Sequence, residues 1–480
     1  MSRPADIVTL VEAAAKRFPQ ATAILSAEGS LTYEELWLQS ADLAEEIQRT
    51  LTLARPLVAV NLARTPWFVV TTLAVLRAGG VVFPTDPSDT SQRQKAVKER
   101  ALPVLEVTKP PGACIPKVAV LEPSVRADLP AVPAEAAYLL HTSGSTGMPK
   151  GVILTHSNLA YFFAWATQTY QLGPGSAVAG VSPFSFDHSI LELFLPLTSG
   201  ATLVLVDQSH RFVDWLERRP IDLLCTVPSA FRSPLALKGL LERKDLVGRL
   251  TNIHLGGEAL SADLVSDIFE NIKCKAVTNC YGPTETTIYA TTLRMEQPPS
   301  KSPSVGFPLP YTRIHILDQL GNECCAGDEG EVFIVGSGVS AGYLNAEEIH
   351  SERFVELPTP AGRAERAYRT GDIGALSPEG ELRLLGRKDR QIKIHGHRIE
   401  LDEVEMAINV LSGIRECAVV VAKERLVAHV VLDGVTVDQA RKSVVEQLPP
   451  WMRPVSYVTH ASLPRTTSGK VDRTCLSHAA

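Results

Sequence analysis

Cysteine is scarce: eight in 480 residues, at positions 114, 225, 274, 280, 324, 325, 417 and 475, with no C-x-x-C pair. That spacing excludes a disulfide framework and a structural zinc site, and it fits a reducing compartment. Long apolar runs are also lacking. The longest apolar region, 58–76, is broken by Asn61, Arg64, Thr65 and Pro66, whereas a membrane span needs about 20 mostly apolar residues. The N-terminal stretch carries Asp6 and Glu12 among its apolar residues, which excludes a secretory signal. Positive charge is not in excess: 47 Lys+Arg stand against 53 Asp+Glu, a net charge of −6, with a pI of about 6.1. That balance argues against a general basic field for nucleic acid and leaves room only for a local basic groove. There is no H-E-x-x-H and no His/Cys cluster to bind a transition metal. Internal repeats and low-complexity segments are absent. The expectation is a cytoplasmic protein with neither a membrane nor a nucleic acid as partner.

What is present is an ordinary globular balance, 45% hydrophobic and 21% charged. At roughly 150 residues per domain, the length suggests about three domains or lobes. Apolar residues at 7, 8, 10, 11, 14, 15 and 18 predict an amphipathic opening helix. Short β-branched runs then alternate with helical patterns: LVAVNL at 57–62, followed by AVAGVS, TLVLV, DLLCTV, NIHL and AVTNC. Such alternation predicts an α/β fold with parallel sheets layered by helices. Pro103 to Pro133 reads as an irregular connector. From about Tyr311 the strands become shorter and closer, as in a small β-rich lobe. GRKDRQIKIHGHRIE at 386–400 reads as a charged hinge. Helix 402–411, strands 416–422 and 426–432, helix 436–447 and strand 455–459 then make a compact α+β ending. The expected division is a large N-terminal domain, 1–388, and a small mobile C-terminal domain, 389–480.

The sharpest local feature is LLHTSGSTGMPKG at 139–151. Gly144, Gly147 and Gly151 let backbone N–H groups turn toward an anion. Thr142, Ser143, Ser145 and Thr146 add hydroxyl donors and Lys150 a point charge, the composition of a polyphosphate cradle. Pro149 ahead of Lys150 rules out a Walker loop, which needs Lys directly after Gly. The bland alternative is a flexible Ser/Gly surface loop.

TSGSTGMPKG closely resembles the signature of the acyl-adenylate-forming superfamily: acyl-CoA synthetases, luciferases and the adenylation domains of nonribosomal peptide synthetases. The resemblance runs in family order through LTYEEL at 31–36, LRAGGVVFPTDP at 76–87, FDHS at 186–189, NCYGPTE at 279–285 and GEVFIVGSGVSAGYL at 330–344. It continues through YRTGD at 368–372, GRKDRQIKIHGHRIELDEVE at 386–405, LPPWMRP at 448–454 and SGKVDR at 468–473. The nearest kinship is with stand-alone amino-acid adenylation domains.

The resemblance implies that a carboxylate attacks the α-phosphate of ATP and that a thiol then attacks the resulting adenylate. It implies that Thr142, Ser143, Gly144, Ser145, Thr146, Gly147 and Lys150 bind the phosphates. Tyr281 would stack on adenine, Asn279 would bond its amino edge, and the backbone at Gly257, Glu258 and Gly282 would complete that site. Asp372 would take the ribose hydroxyls, an apt role for an acceptor carboxylate, with Arg387 and Lys393 steadying ribose and phosphate. Thr284 would touch the α-phosphate and Glu285 would hold Mg²⁺, a hard cation that prefers oxygen ligands. Lys470 would be the mobile catalytic lysine and Asp389 the hinge. Tyr281 and Glu285 alternatively mark a plain turn and a solvated carboxylate, and Asp372 could cap a turn.

Asp187 bears most on substrate class. In amino-acid-activating relatives an Asp at this place pairs with the α-ammonium, and a buried carboxylate without a cation would be costly. Its alternative role is a helix N-cap. The remaining pocket positions carried over are His188, Leu191, Cys225, His254, Gly256, Cys280, Ile288 and Tyr289; His188 and His254 could instead be satisfied core residues. Asp187 and Leu191 share a helix face. His188, His254 and Tyr289 can hydrogen-bond, and the set implies a small or medium amino acid, polar or non-proteinogenic, without a strongly cationic side chain. Ala341 departs from the family pattern, where Arg commonly precedes the Gly-Tyr at this place. The chain ends ten residues after Lys470, and the expectation is a free-standing enzyme that loads a phosphopantetheinylated carrier protein in trans. The alternatives are an acyl- or aryl-CoA ligase and a nucleotide-binding regulator.

Overall fold

The structure, a computed structural model, describes residues 4–50, 56–110, 112–121, 132–144, 149–206, 212–231, 238–358, 364–466 and 471–478. Ser145, Thr146, Gly147 and Lys470 lie outside the described residues. The chain divides into two compact units, 1–87 with 101–140 and 151–388, and 88–100 with 141–150 and 389–480.

The first unit is mixed α/β. Its nine-stranded sheet runs Phe307–Pro308, Thr291–Met295, Ala276–Tyr281, Leu250–Gly256, Ile221–Thr226, Ala177–Gly180, Thr202–Leu205, Thr22–Ser26, Gly29–Thr32. The six central strands pair in parallel. Those strands include the β-branched runs between 177 and 281, and their near-continuous apolar character matches a sheet covered on both faces. A seven-stranded sheet runs Gly342–Leu344, Lys150–Thr155, Ala136–Thr142, Val81–Thr85, Leu57–Asn61, Leu105–Thr108, Lys117–Val120. One apolar core draws on both sheets and on the helices Pro66–Arg77, His156–Tyr170 and His188–Ser199. The β-rich lobe is an antiparallel five-stranded sheet built on Ala364–Leu376.

The second unit contains helix Leu401–Asn409, strands Ile414–Ala422 and Arg425–Leu432, helix Val437–Gln447 and strand Ser456–Thr459, close to the expected bounds. A capping box between Thr436 and Gln439 starts its second long helix.

Two expectations are corrected. Pro103–Pro133 is not wholly irregular, since Leu105–Thr108 pairs in parallel with Leu57–Asn61 and antiparallel with the edge strand Lys117–Val120. The charged run at 386–400 holds a hairpin, Gln391–Ile394 with His397–Glu400, because its apolar residues alternate and Ile392 faces Ile399 across the pair. Ala341 leaves no gap in bonding: Arg366 donates to the carbonyls of Ser340 at 2.6 Å and Ala341 at 3.0 Å. Among the described residues no helix is long and apolar enough to cross a membrane.

Candidate active site

The C-terminal ends of parallel strands carry one face of the site, as in other open α/β sheets. Cys225 pairs with His254 across two neighbouring strands, and Gly256 pairs with Cys280 on the next. Alternation puts His254 and Gly256 on the same face. At Gly256 an added Cβ would stand 3.1 Å from the Cys280 carbonyl oxygen and 3.3 Å from the His188 ring, close enough to press on that ring. The His188 and Tyr289 rings lie 5.3 Å apart, and those of His254 and Tyr289 6.1 Å. Leu191, Cys225, Cys280, Ile288 and Tyr289 are buried in the same core. Burial drives the His254 pKa down to about 3, with the charges of His188 and Arg294 acting in the same direction.

Ile288 and Tyr289 reach this face by a strained turn. Thr287 and Ile288 have φ of 63° and 67°, a costly region for β-branched residues. Thr287 Oγ1 donates to the Gly338 carbonyl at 2.7 Å, and Ala290 N donates to the Tyr281 carbonyl at 2.7 Å, which fixes the turn. A side chain at Gly282 would come within 2.8 Å of Ile288 O and Ala290 N.

Asp187 stands at the start of helix His188–Ser199, with Oδ1 accepting from His188 N at 2.8 Å. The N-cap reading of this residue is borne out. One oxygen serves the helix start, and the other has no partner among the described residues. The segment leading to Asp187 is braced by residues that sequence reasoning missed. Glu192 is buried and accepts from Val181 N at 3.0 Å, Ser182 N at 2.9 Å and Ser182 Oγ at 2.7 Å. Arg64 donates to the carbonyls of Gly180 at 3.0 Å and Ser182 at 2.6 Å. Phe184 stacks on Phe68 at 3.7 Å. Burial outweighs the Ser182 and Val181 hydrogen bonds and lifts the Glu192 pKa to about 7. A carboxylate inside the apolar run HSILELFL was the available signal.

A second group gathers around Tyr281. Its hydroxyl donates to Asp372 Oδ2 at 2.5 Å, and Arg387 donates to Asp372 Oδ1. Burial and the Asp372 carboxylate push the Tyr281 pKa up. Asn279, two residues earlier on the same strand, donates from Nδ2 to the Ser304 carbonyl at 2.7 Å, a bond that makes no use of its side-chain oxygen. Thr284 and Glu285 share a 3₁₀ turn, and fully buried Glu285 accepts from the Tyr343 hydroxyl at 2.8 Å. Tyr343 is another residue the sequence did not single out. Gly257 adopts φ of 84°, and Glu258 accepts from Ser229 N at 2.9 Å and Oγ at 3.0 Å.

The described part of the phosphate loop belongs to the second unit. Thr142 Oγ1 is buried without a partner among the described residues, and Lys150 is buried at the head of its strand. Ser143 Oγ donates to the Arg398 carbonyl at 2.8 Å, and Gly144 N donates to Glu403 Oε2 at 3.2 Å. Glu403 also pairs with Arg93 at 2.7 Å. The Gly144 amide thus meets an anion, the acceptor type a phosphate would offer. Lys393 lies exposed in the 391–400 hairpin, and Asp389 Oδ1 accepts from Gln391 N at 3.3 Å at the start of the segment 389–480.

Comparison with known proteins settles the family. Residues 11–344 match the AMP-binding enzyme family and residues 403–470 the AMP-binding enzyme C-terminal domain. The chain belongs to the AMP-binding enzyme family. Within it, the chain is similar to the AMB antimetabolite synthetase AmbB of Pseudomonas aeruginosa, 35% identical over 97% of this chain and 38% of that protein. It is 34% identical to tyrocidine synthase 3 of Brevibacillus parabrevis over 97% of this chain and 7% of that protein. The chain thus spans well under half of these curated relatives. Among solved structures, PA1221, described as a nonribosomal peptide synthetase protein containing adenylation and PCP domains, superposes with a TM-score of 0.82. That match is 26% identical and covers 98% of this chain and 84% of PA1221. The Vibrio cholerae adenylation domain AlmE shares the fold with a TM-score of 0.84 at 22% identity, over 98% and 97% of the two chains. The fold and sequence are of the nonribosomal-peptide-synthetase adenylation type.

Proposed function

We propose that this chain activates an amino acid as its aminoacyl-AMP, with release of pyrophosphate, and passes it to the phosphopantetheine thiol of a separate carrier protein. The observation that carries the reading is the Asp187 carboxylate, which begins the helix whose first residue, His188, lies against Gly256 and Tyr289. Its second oxygen is available to an ammonium group. A pocket otherwise lined by Leu191, Cys225, Cys280 and Ile288 strengthens such a charge pair by excluding water. The relatives support the carrier half of the reading, since PA1221 is described as joining adenylation and PCP domains.

In this reading Tyr281 offers a face to adenine, while Asn279 Oδ1 accepts from its amino group. Asp372, held by Tyr281 and Arg387, keeps lone pairs for the ribose hydroxyls. Thr142, Ser143, Gly144, Ser145, Thr146, Gly147 and Lys150 cradle the phosphates. Thr284 contacts the α-phosphate, with Lys393 steadying the nucleotide. Glu285 is a buried carboxylate that takes a hydroxyl donor from Tyr343, which fits the way Mg²⁺ is held by one or two carboxylates together with substrate phosphates. When bound, that cation offsets charge on the triphosphate. Lys470 enters to bridge the attacking carboxylate and the α-phosphate, and rotation about Asp389 withdraws it for thiol attack. Catalysis then rests on positioning and charge stabilisation.

The test is an ATP–pyrophosphate exchange screen over amino acids and aryl acids, followed by loading of purified holo carrier proteins. Exchange with one amino acid and its capture on a carrier are expected. Exchange only with nitrogen-free acids, or thioester capture on free CoA but on no carrier, would overturn it in favour of a CoA ligase.

A further inference from the structure

His254 is fully buried, and its two ring nitrogens differ. The Tyr170 hydroxyl lies 3.5 Å from Nδ1, with the rings 4.9 Å apart. Nε2 is buried with no hydrogen-bond partner among the described residues. The neighbouring Tyr289 hydroxyl is also buried without a nitrogen or oxygen partner; it meets the thiols of Cys225 and Cys280. Buried polar atoms are nearly always paired. Two without a nitrogen or oxygen partner, on adjacent rings that the family resemblance assigns to the acyl pocket, point to a ligand group that pairs with them.

The direction of pairing turns on Tyr170, whose neutral hydroxyl can donate to Nδ1 or accept from it. Burial raises its pKa, so the hydroxyl keeps its proton, and His254 Nδ1 is its hydrogen-bond partner. An O–H that donates to Nδ1 leaves the ring proton on Nε2. The contact is long, of the kind that tightens once a ligand engages the other side of the ring. Tyr170 reaches this place because it ends helix His156–Tyr170, which a Thr155–Asn158 capping box starts and a left-handed Gln171 stops. Neither partner brings a charge: burial holds the imidazole neutral and Tyr289 protonated.

We propose that Tyr170 is a positioning residue that holds His254 with its proton on Nε2, and that His254 Nε2–H and the Tyr289 hydroxyl select an amino acid with a short neutral polar side chain, a hydroxyl or a carboxamide. This inference rests on the amino-acid-activation reading and deepens it. A site built to hydrogen-bond a substrate group strongly rejects the isostere that lacks it, because its own polar atoms are then left unpaired.

The experiment compares kcat/KM in ATP–pyrophosphate exchange for isosteric pairs, threonine against valine, serine against alanine and asparagine against leucine. The purified chain is used as wild type, Tyr170→Phe, His254→Gln and His254→Leu. The best wild-type substrate is expected to be a polar member, preferred over its partner by about 100-fold or more. Tyr170→Phe should cut that ratio about tenfold through the amino-acid KM, with the ATP KM unchanged. His254→Gln, which keeps an N–H at the Nε2 place, should retain most of the preference, and His254→Leu should abolish it. An apolar or charged amino acid as the best substrate overturns the inference and leaves amino-acid activation standing. An unchanged ratio in Tyr170→Phe overturns its positioning role. Exchange only with nitrogen-free acids overturns the underlying reading instead. The wild-type comparison requires no variant to fold.

Discussion

The hydroxyl of Tyr281 donates to Asp372 Oδ2 at 2.5 Å, joining residues 91 apart in sequence. The end of a parallel strand is thereby tied to the β-rich lobe, and an aromatic face and a buried carboxylate become one hydrogen-bonded element. Arg387 completes it from the adjacent strand.

Tyr281→Phe keeps the face and removes the donor. Leaving a buried carboxylate short of one partner costs about 1–3 kcal/mol, so KM for ATP is expected to rise about tenfold with a smaller change in kcat. Steady-state exchange kinetics at varied ATP check this. An unchanged KM would mean that Asp372 is held by Arg387 alone.

Glu192 gives a pH dependence. Its carboxyl, raised from 4.5 to about 7 by burial, keeps its proton in the folded chain after the unfolded chain has lost it. Between those values stability therefore falls as pH rises, by at most about 3 kcal/mol for this group. Glu192→Gln, which can still bond Ser182 and the backbone, should flatten that decline in denaturant melts at pH 4.5 to 7. A decline as steep as wild type would show that the carboxyl is ionised throughout.

Lys470→Ala should slow adenylate formation by roughly 10²–10³, the scale of losing a preorganised charge-stabilising donor. Exchange at a near-normal rate would remove this lysine from the first half-reaction.

Asp389→Pro should leave exchange largely intact and stall thioester formation, because proline fixes φ at the junction that must rotate. Equal loss of both half-reactions would count against a hinge there.

The strand–helix alternation was legible because buried parallel strands show as β-branched runs, and the run TSGSTG to PKG stood out as a candidate by composition alone. Other features were hidden for physical reasons. Leu105–Thr108 and Lys117–Val120 lie among prolines that read as breakers, yet the prolines fall outside the two strands and cost them no ladder bonds. The 391–400 hairpin was masked by its charges, which occupy one side while Ile392 and Ile399 pair. At the site, residues in direct sequence blocks such as Asp187, Tyr281 and Asp372 were singled out as candidates. Arg64, Tyr170 and Tyr343 were not, since each acts on a partner 58 or more positions away, a link that no local run of sequence shows. The left-handed turn at Thr287 and Ile288 defeats propensity altogether.

The most direct measurement compares the preferred amino acid with its des-amino analogue in ATP–pyrophosphate exchange, using wild type and Asp187→Ala. The account predicts that wild type favours the amino acid by about 100-fold or more and that the variant loses most of this preference, because an ammonium left without its carboxylate costs several kcal/mol. Equal activation of both compounds by wild type, or a preference untouched in Asp187→Ala, would contradict it.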